Sequence, residues 1–255
     1  EQDQSLFLCR DRLGIKPLYY WLDGENLAFA SELKALLPLQ KNRPFTLNTQ
    51  AVRNYLLLGY IPEPMSIYTE IRKLPSGSYA FIRHGKLEVE SYWQPEEKVQ
   101  NAILSDELQA KEQLRKLINS SVRYRMVSDV PFGTFLSGGI DSSLVTAIAQ
   151  HQSETPINTF SIGFHDAKHN EAEFARKIAS YLGTHHHEFT VTEQDALELI
   201  DQMVDAYDEP YADSSAIPTM LVSKLARKHV TMTLSGDGGD ELFLGYGAYQ
   251  WARRL

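Results

Sequence analysis

Cysteine is almost missing from this sequence: there is one, Cys9, in 255 residues. No internal disulfide can form. That excludes the small disulfide-built secreted classes and fits a reducing, cytoplasmic compartment. Long apolar runs are missing as well, and none reaches the ~18 residues a membrane-spanning helix needs. The opening Glu1-Gln2-Asp3-Gln4 is polar and acidic, unlike a signal peptide. A basic excess is absent too. Against 25 Lys and Arg stand 33 acidic residues, and the net charge of −8 disfavours non-specific binding to nucleic acid. There is no internal repeat and no low-complexity tract. What remains is ordinary for a globular chain, 43% hydrophobic and 23% charged. The length suits one large or two modest domains.

The most informative stretch is Phe135-Leu136-Ser137-Gly138-Gly139-Ile140-Asp141-Ser142-Ser143. Apolar, strand-like residues precede it, and good helix material follows from Leu144. Strand, Gly-rich turn and helix in that order present backbone N–H groups and the helix dipole to an anion, most often phosphate. Gly138 and Gly139 permit the tight turn, and Ser137, Ser142 and Ser143 add hydroxyls. The Walker pattern and its lysine are absent. Asp141 beside phosphates would repel them, so it reads either as a helix cap or as a Mg²⁺ ligand, since Mg²⁺ is commonly held by one or two carboxylates and substrate phosphates.

A second stretch has the same form. The strand-like 231–234 runs into Ser235-Gly236-Asp237-Gly238-Gly239-Asp240-Glu241-Leu242-Phe243. In an open α/β sheet, loops at the carboxyl ends of strands converge on the ligand crevice. Two Gly-rich, acid-bearing loops fit one nucleotide and its metal.

Elsewhere the patterns predict short strands over 5–30 with a turn at Asp23-Gly24, and a short helix from Glu32 stopped by Pro38. A helix capped by Asn48 ends at Gly59, and a hairpin turns around His84-Gly85. A polar stretch over 93–104 reads as the boundary between domains 1–95 and 96–255. A long helix capped by Ser105 follows. Strands at 131–136, 157–162, 186–191 and 230–234 then alternate with helices at 141–151, 170–182, 193–206 and 215–228. That alternation predicts a parallel, doubly wound α/β sheet. Ser214 and Ser215 suit N-capping of the last helix, with Pro218 in its first turn. His185 and His187 share one face of a strand, but a zinc site needs more ligands than these two. Cys9, in an apolar strand, reads as a small packing residue.

The two Gly-rich motifs resemble those of the ATP-pyrophosphatase superfamily, and together the synthetase domain of glutamine-hydrolysing asparagine synthetases. Arg10-Asp11-Arg12-Leu13-Gly14-Ile15-Lys16-Pro17-Leu18-Tyr19-Tyr20 and Phe29-Ala30-Ser31-Glu32-Leu33-Lys34-Ala35-Leu36 resemble the last part of that family's glutaminase domain. The resemblance implies a doubly wound sheet of ATP-pyrophosphatase type. Before it would come the C-terminal part of an α+β N-terminal-nucleophile glutaminase domain. It implies ATP and Mg²⁺ as cofactors. ATP would meet Leu136, Ser137, Gly138, Gly139, Asp141, Ser142, Ser143, Ile162, Gly163, Ser235 and Gly236, with Ile162 and Gly163 against the adenine. Mg²⁺ would sit on Asp141 and Asp240, though Asp240 also reads as a helix N-cap. Asp237 matches an acidic position tied to acyl-adenylate formation. The family carries Glu there, one methylene longer, which bears on the acceptor. Asp213, Ser214 and Ser215 fall near the acceptor substrate.

The reaction so implied is amidation of a carboxylate, aspartate to asparagine, by ammonia from glutamine. Its rivals are the same chemistry on another acceptor, as in β-lactam synthetases, peptide cyclases or polysaccharide-associated amidotransferases, and a non-catalytic nucleotide-binding module. Residue 1 is Glu, not Met, Leu6-Phe7-Leu8-Cys9 already reads as a strand in mid-pattern, and residues 251–255 are a helical pattern without a stop signal. The expectation is a fragment of a longer protein. The glutaminase nucleophile and glutamine site would lie upstream, and the phosphate-binding lysine and a helical region beyond Leu255. The resemblance admits a homodimer and implies neither nucleic acid nor membrane as partner.

Overall fold

The structure, a computed structural model, describes residues 5–24, 26–41, 44–83, 85–98, 106–164, 171–252 and 254. The chain divides into two compact units, Glu1–Ile103 with Asp201–Asp213, and Leu104–Ile200 with Ser214–Leu255.

The first unit carries two three-stranded antiparallel sheets. Strands β1 (Ser5–Cys9), β5 (Ser78–Arg83) and β6 (Lys86–Ser91) form one in the order β1-β5-β6. Strands β2 (Tyr19–Asp23), β3 (Asn26–Ala30) and β4 (Ile71–Lys73) form the other in the order β3-β2-β4. Alternation along β2 splits its neighbours Tyr19 and Tyr20 between two cores. Tyr20 packs with Leu8, Leu74, Ala80 and Ile82, and Tyr19 packs with Leu33, Leu36 and Ile71. Helix α1 (Thr49–Leu58) starts at Asn48, whose side chain accepts from the N–H groups of Gln50 and Ala51. It ends at Gly59, where φ is +80°. Helix α2 (Pro95–Lys98) is a single short turn.

Three expectations need correction here. The helix from Glu32 does not stop at Pro38: a 3₁₀ helix spans Leu33–Lys41 with Pro38 inside it. Its tighter three-residue turns continue where an α-helix would be kinked. Cys9 is exposed rather than packed, because Leu8 takes the inward position of β1 and its successor must face out. Ser105 and His84 lie outside the described residues. Asp106 caps the long helix, accepting from Leu108 and Gln109 N–H.

The second unit is built on a four-stranded parallel sheet. Helix α3 (Glu107–Met126) precedes β7 (Phe132–Phe135), α4 (Ile140–Gln152), β8 (Asn158–Phe164), α5 (Ala172–Leu182) and β9 (His185–Val191). Then come α6 (Glu193–Leu197), α7 (Ile200–Ala206), α8 (Ala216–Ala226), β10 (Met232–Leu234), α9 (Gly239–Phe243) and α10 (Gly247–Ala252). The strand order is β10-β7-β8-β9, with every pairing parallel. Side-chain parity sorts the helices onto two faces. Thr134 meets Thr146 of α4, and Leu136 packs with Ala175 and Ala179 of α5. Phe135 and Phe160, of opposite parity, pack with Ala226 and Val222 of α8. The sheet is therefore doubly wound. One further correction falls here: the helix expected over 193–206 is broken at Glu198-Leu199. Leu199 is buried with Val191 and Leu221, while Asp201–Asp213 belong to the first unit.

Candidate functional site

β10 and β7 are neighbours, yet β7 runs on through α4 to β8 on its other side. The chain builds outward from β7 through β8 to β9 and then crosses back to lay β10 on the other side of β7, so the strand order reverses here. The carboxyl ends of β7 and β10 flank a topological switch point, the ligand crevice of open α/β sheets. Both Gly-rich loops sit there.

After β7 the chain turns sharply into α4. Gly138 has φ +91°, a conformation side chains rarely adopt, and a Cβ there would stand 2.8 Å from Phe174 Cβ and 2.9 Å from Ala175 N. Hydroxyls fasten the turn from inside. Ser142 Oγ lies 2.9 Å from Ser137 Oγ and accepts from Ser137 N at 3.2 Å. Ser137 Oγ accepts from Gly139 N at 3.2 Å, and Ser143 Oγ donates to Gly139 O at 2.5 Å. Gly139 is the N-cap residue of α4. The N–H groups of Ile140, Asp141 and Ser142 therefore have no acceptor within the helix and suit an anion.

The second loop follows β10. Ser235 Oγ donates to Asp237 Oδ2 at 2.9 Å, and Asp237 is otherwise exposed. Gly238, again at φ +91°, is the N-cap of α9. Asp141 and Asp240 thus occupy the same place, the second residue of a helix after a Gly-rich turn. Neither is the N-cap, so their reading as caps fails, because glycine at positive or extended backbone takes that role.

The two loops touch. A Cβ on Gly236 would come within 2.7 Å of Ser142 N, and one on Gly239 would collide with the Asp141 carboxylate. Glycine at these positions lets the second loop lie on the first turn of α4. Asp141 is thereby set against the residue preceding Asp240, whose own carboxylate is wedged against Gly245. Among the described residues no group of three or more His, Cys, Asp or Glu is placed to hold a metal. Two carboxylates beside free N–H groups suit Mg²⁺, which keeps waters and takes its remaining ligands from substrate phosphates.

Beside the first turn opens a cavity of about 370 Å³, within the ~300–1,000 Å³ usual for small-molecule sites. Phe135, Leu136, Phe160, Ile162, Pro218 and Val222 make its apolar walls. Ser137, Ser161, Ser215 and Thr219 bring hydroxyls, and among the described residues Glu171 brings the one charge. Of the residues predicted from sequence, Leu136, Ser137, Ile162 and Ser215 line the cavity and the loop residues adjoin it. Gly163 stays in the ladder opposite Thr190. Asp213 belongs to the first unit and Ser214 to the second, and neither lines the cavity. Ser215 holds the N-cap position of α8 without a capping side-chain bond, since its backbone is already helical at φ −80°, ψ −10°. Glu171 and the α8 residues Pro218, Thr219 and Val222 carry no motif. Only the 3.6-residue spacing of the last group marked a shared face.

Of the three histidines of β9, His185 is exposed and the other two are engaged in packing. His186 contacts Thr159 Oγ1 at 2.9 Å and Ser161 Oγ at 3.2 Å, and His187 Nε2 lies 2.9 Å from Asn158 Oδ1. His187 also stacks on Phe160 and, at 3.9 Å between centroids, on His229.

Fold and site together define a doubly wound parallel α/β domain with paired Gly-rich loops at its switch point. The family model for asparagine synthase matches residues 113–255, and that for a glutamine amidotransferase domain matches residues 1–93. The chain belongs to the asparagine synthase family. A protein of Methanocaldococcus jannaschii is 42% identical over 243 residues, 94% of this chain and 47% of its own length. Asparagine synthetase [glutamine-hydrolyzing] 1 of Bacillus subtilis is 35% identical over 98% of this chain and 39% of its own. Asparagine synthetase B [glutamine-hydrolyzing] of Escherichia coli is 31% identical over 96% and 41%. The chain thus spans less than half the length of these relatives. Among the described residues no helix is long and apolar enough to cross a membrane.

Proposed function

We propose that the protein is a cytoplasmic ligase that converts aspartate to asparagine, with ATP as energy source and glutamine as nitrogen donor. A carboxylate oxygen of aspartate attacks the α-phosphorus of ATP, and the bond to the β-phosphate oxygen breaks. Pyrophosphate leaves and an acyl-adenylate remains. Ammonia attacks the acyl carbon, the carbon–oxygen bond to the phosphate breaks, and AMP departs. The observation that carries this reading is the contact of Gly236 and Gly239 with Asp141 and Ser142, which makes two loops into one site at the switch point. The base and ribose are assigned to the cavity bounded by Leu136 and Ile162. The phosphates are assigned to the N–H groups at the start of α4. Asp141 and Asp240 would hold Mg²⁺, which when bound supplies positive charge opposite the leaving pyrophosphate. Asp237 supplies a negative charge, either to the adenylation or to the proton that nitrogen loses. The names of the relatives support aspartate as acceptor, and no observation favours another.

The test is nucleotide binding by the full-length protein with and without Mg²⁺. Asp141→Ala should keep its fold and lose most of the Mg²⁺-dependent gain in ATP affinity. Unchanged affinity with the metal present would remove Asp141 from the site.

A further inference from the structure

Among the described residues Glu171 is the one charged residue lining the cavity, and its carboxylate has no hydrogen-bond partner. Its backbone is occupied: the Glu171 carbonyl accepts from Phe174 N at 3.0 Å and Ala175 N at 3.1 Å, starting α5. The same carbonyl stands 3.3 Å from where a Cβ of Gly138 would be. The Glu171 backbone is thus fixed beside the phosphate turn, with its side chain exposed. Ile162 and Val222 line the same cavity, with apolar surfaces that suit a base.

We propose that Glu171 selects the ribose: its carboxylate accepts the 2′- and 3′-hydroxyls of the nucleotide. The inference rests on the ATP reading above and extends it to a residue that no motif marks. A sugar lies between base and phosphates, and Glu171 lines the cavity assigned to the base while its backbone adjoins the Gly138 turn assigned to the phosphates. A carboxylate has two acceptor oxygens and no donor, which matches a vicinal diol. Such charge-assisted bonds are roughly twice as strong as neutral ones, and the same pairing reads the ribose in dinucleotide-binding sheets. Facing the phosphates instead, the carboxylate would repel them.

The experiment compares ATP with 2′-deoxyATP, both with Mg²⁺, on the full-length protein and its Glu171→Gln variant. The variant keeps size and backbone contacts, and a melting curve verifies its fold. Wild type should prefer ATP over 2′-deoxyATP by about tenfold or more, the usual worth of a hydrogen bond to a charged group. Glu171→Gln should lose most of that preference, through weaker ATP binding with 2′-deoxyATP little changed. Equal losses for both nucleotides would overturn the assignment. So would a loss that follows Mg²⁺ concentration rather than the 2′-hydroxyl, which would make Glu171 a metal ligand. Should wild type bind neither nucleotide, the ATP reading itself falls, a result distinct from either of these.

Discussion

Gly239 decides how closely the second loop can lie against Asp141. Any side chain there would collide with the Asp141 carboxylate, and the carboxylate must then move. Gly239→Ala should leave the melting temperature nearly unchanged, since α9 is short and the surrounding loop is half-exposed. It should weaken Mg²⁺-dependent ATP binding by ~10-fold or more, because displacements of about 1 Å in such sites can cost up to ~10²-fold. Titration of ATP against both proteins checks this, and intact affinity would mean that the contact is only packing. Asp237 poses a different question, because the bond its carboxylate accepts from Ser235 Oγ suits a turn residue as well as a reacting group. Asp237→Asn keeps shape and removes charge. The expected outcome is a normal fold, normal ATP binding, and aspartate-dependent pyrophosphate release lowered ~10²–10⁴-fold. Near-normal turnover with a lowered melting temperature would favour the turn.

The strands and the two Gly-rich turns were legible because their signals are local. Apolar runs end in Ser-Gly, and aspartate follows. The break between α6 and α7 was not legible, because no Gly or Pro marks it; it comes from Leu199 being drawn into a core with Val191 and Leu221. Cys9 was misread although the alternation of β1 already pointed it outward. Glu171 was invisible, since a single acidic residue becomes informative only once a cavity wall is known. The edge strand β9 makes a prediction of its own. Burial, then the neighbouring charges of His229, His186 and His185, hold the His187 ring below the ordinary histidine range. Burial first also lowers His186, against the opposing charge of Glu188. A histidine with a depressed folded pKa favours the neutral form, so the unfolded chain takes up the proton first. The contribution is complete above the unfolded value of about 6.5 and is lost as pH falls from there through the folded value. Melting temperatures should therefore decline below about pH 6.5, and His187→Gln should flatten that decline. An equal decline in the variant would clear His187 of the effect.

In the whole molecule, residues 201–213 return to the first unit and are held there by charge. Glu209 pairs with Lys73 at 2.5 Å, with side-chain exposures of 9% and 13%, and accepts Ile67 N at 2.7 Å. Asp208 accepts Leu33 N at 2.6 Å. Tyr19 lies 3.5 Å from Glu209, and burial followed by the charges of Glu209 and Asp208 raises its phenol pKa. Glu209→Gln would leave Lys73 buried without its counter-ion, which typically costs about 3 kcal/mol or more. Denaturation followed through Trp21 and Trp93 should show the loss, and an unmoved midpoint would make the pair dispensable. The account as a whole stands on the switch-point loops forming one adenylating site. The measurement that tests this most directly is product analysis of the full-length protein with ATP, Mg²⁺, aspartate and ammonium, so that no step at glutamine intervenes. The account predicts AMP, pyrophosphate and asparagine in equal amounts, each dependent on aspartate and each abolished by Asp141→Ala. Formation of ADP and phosphate, or pyrophosphate release indifferent to aspartate, would contradict it.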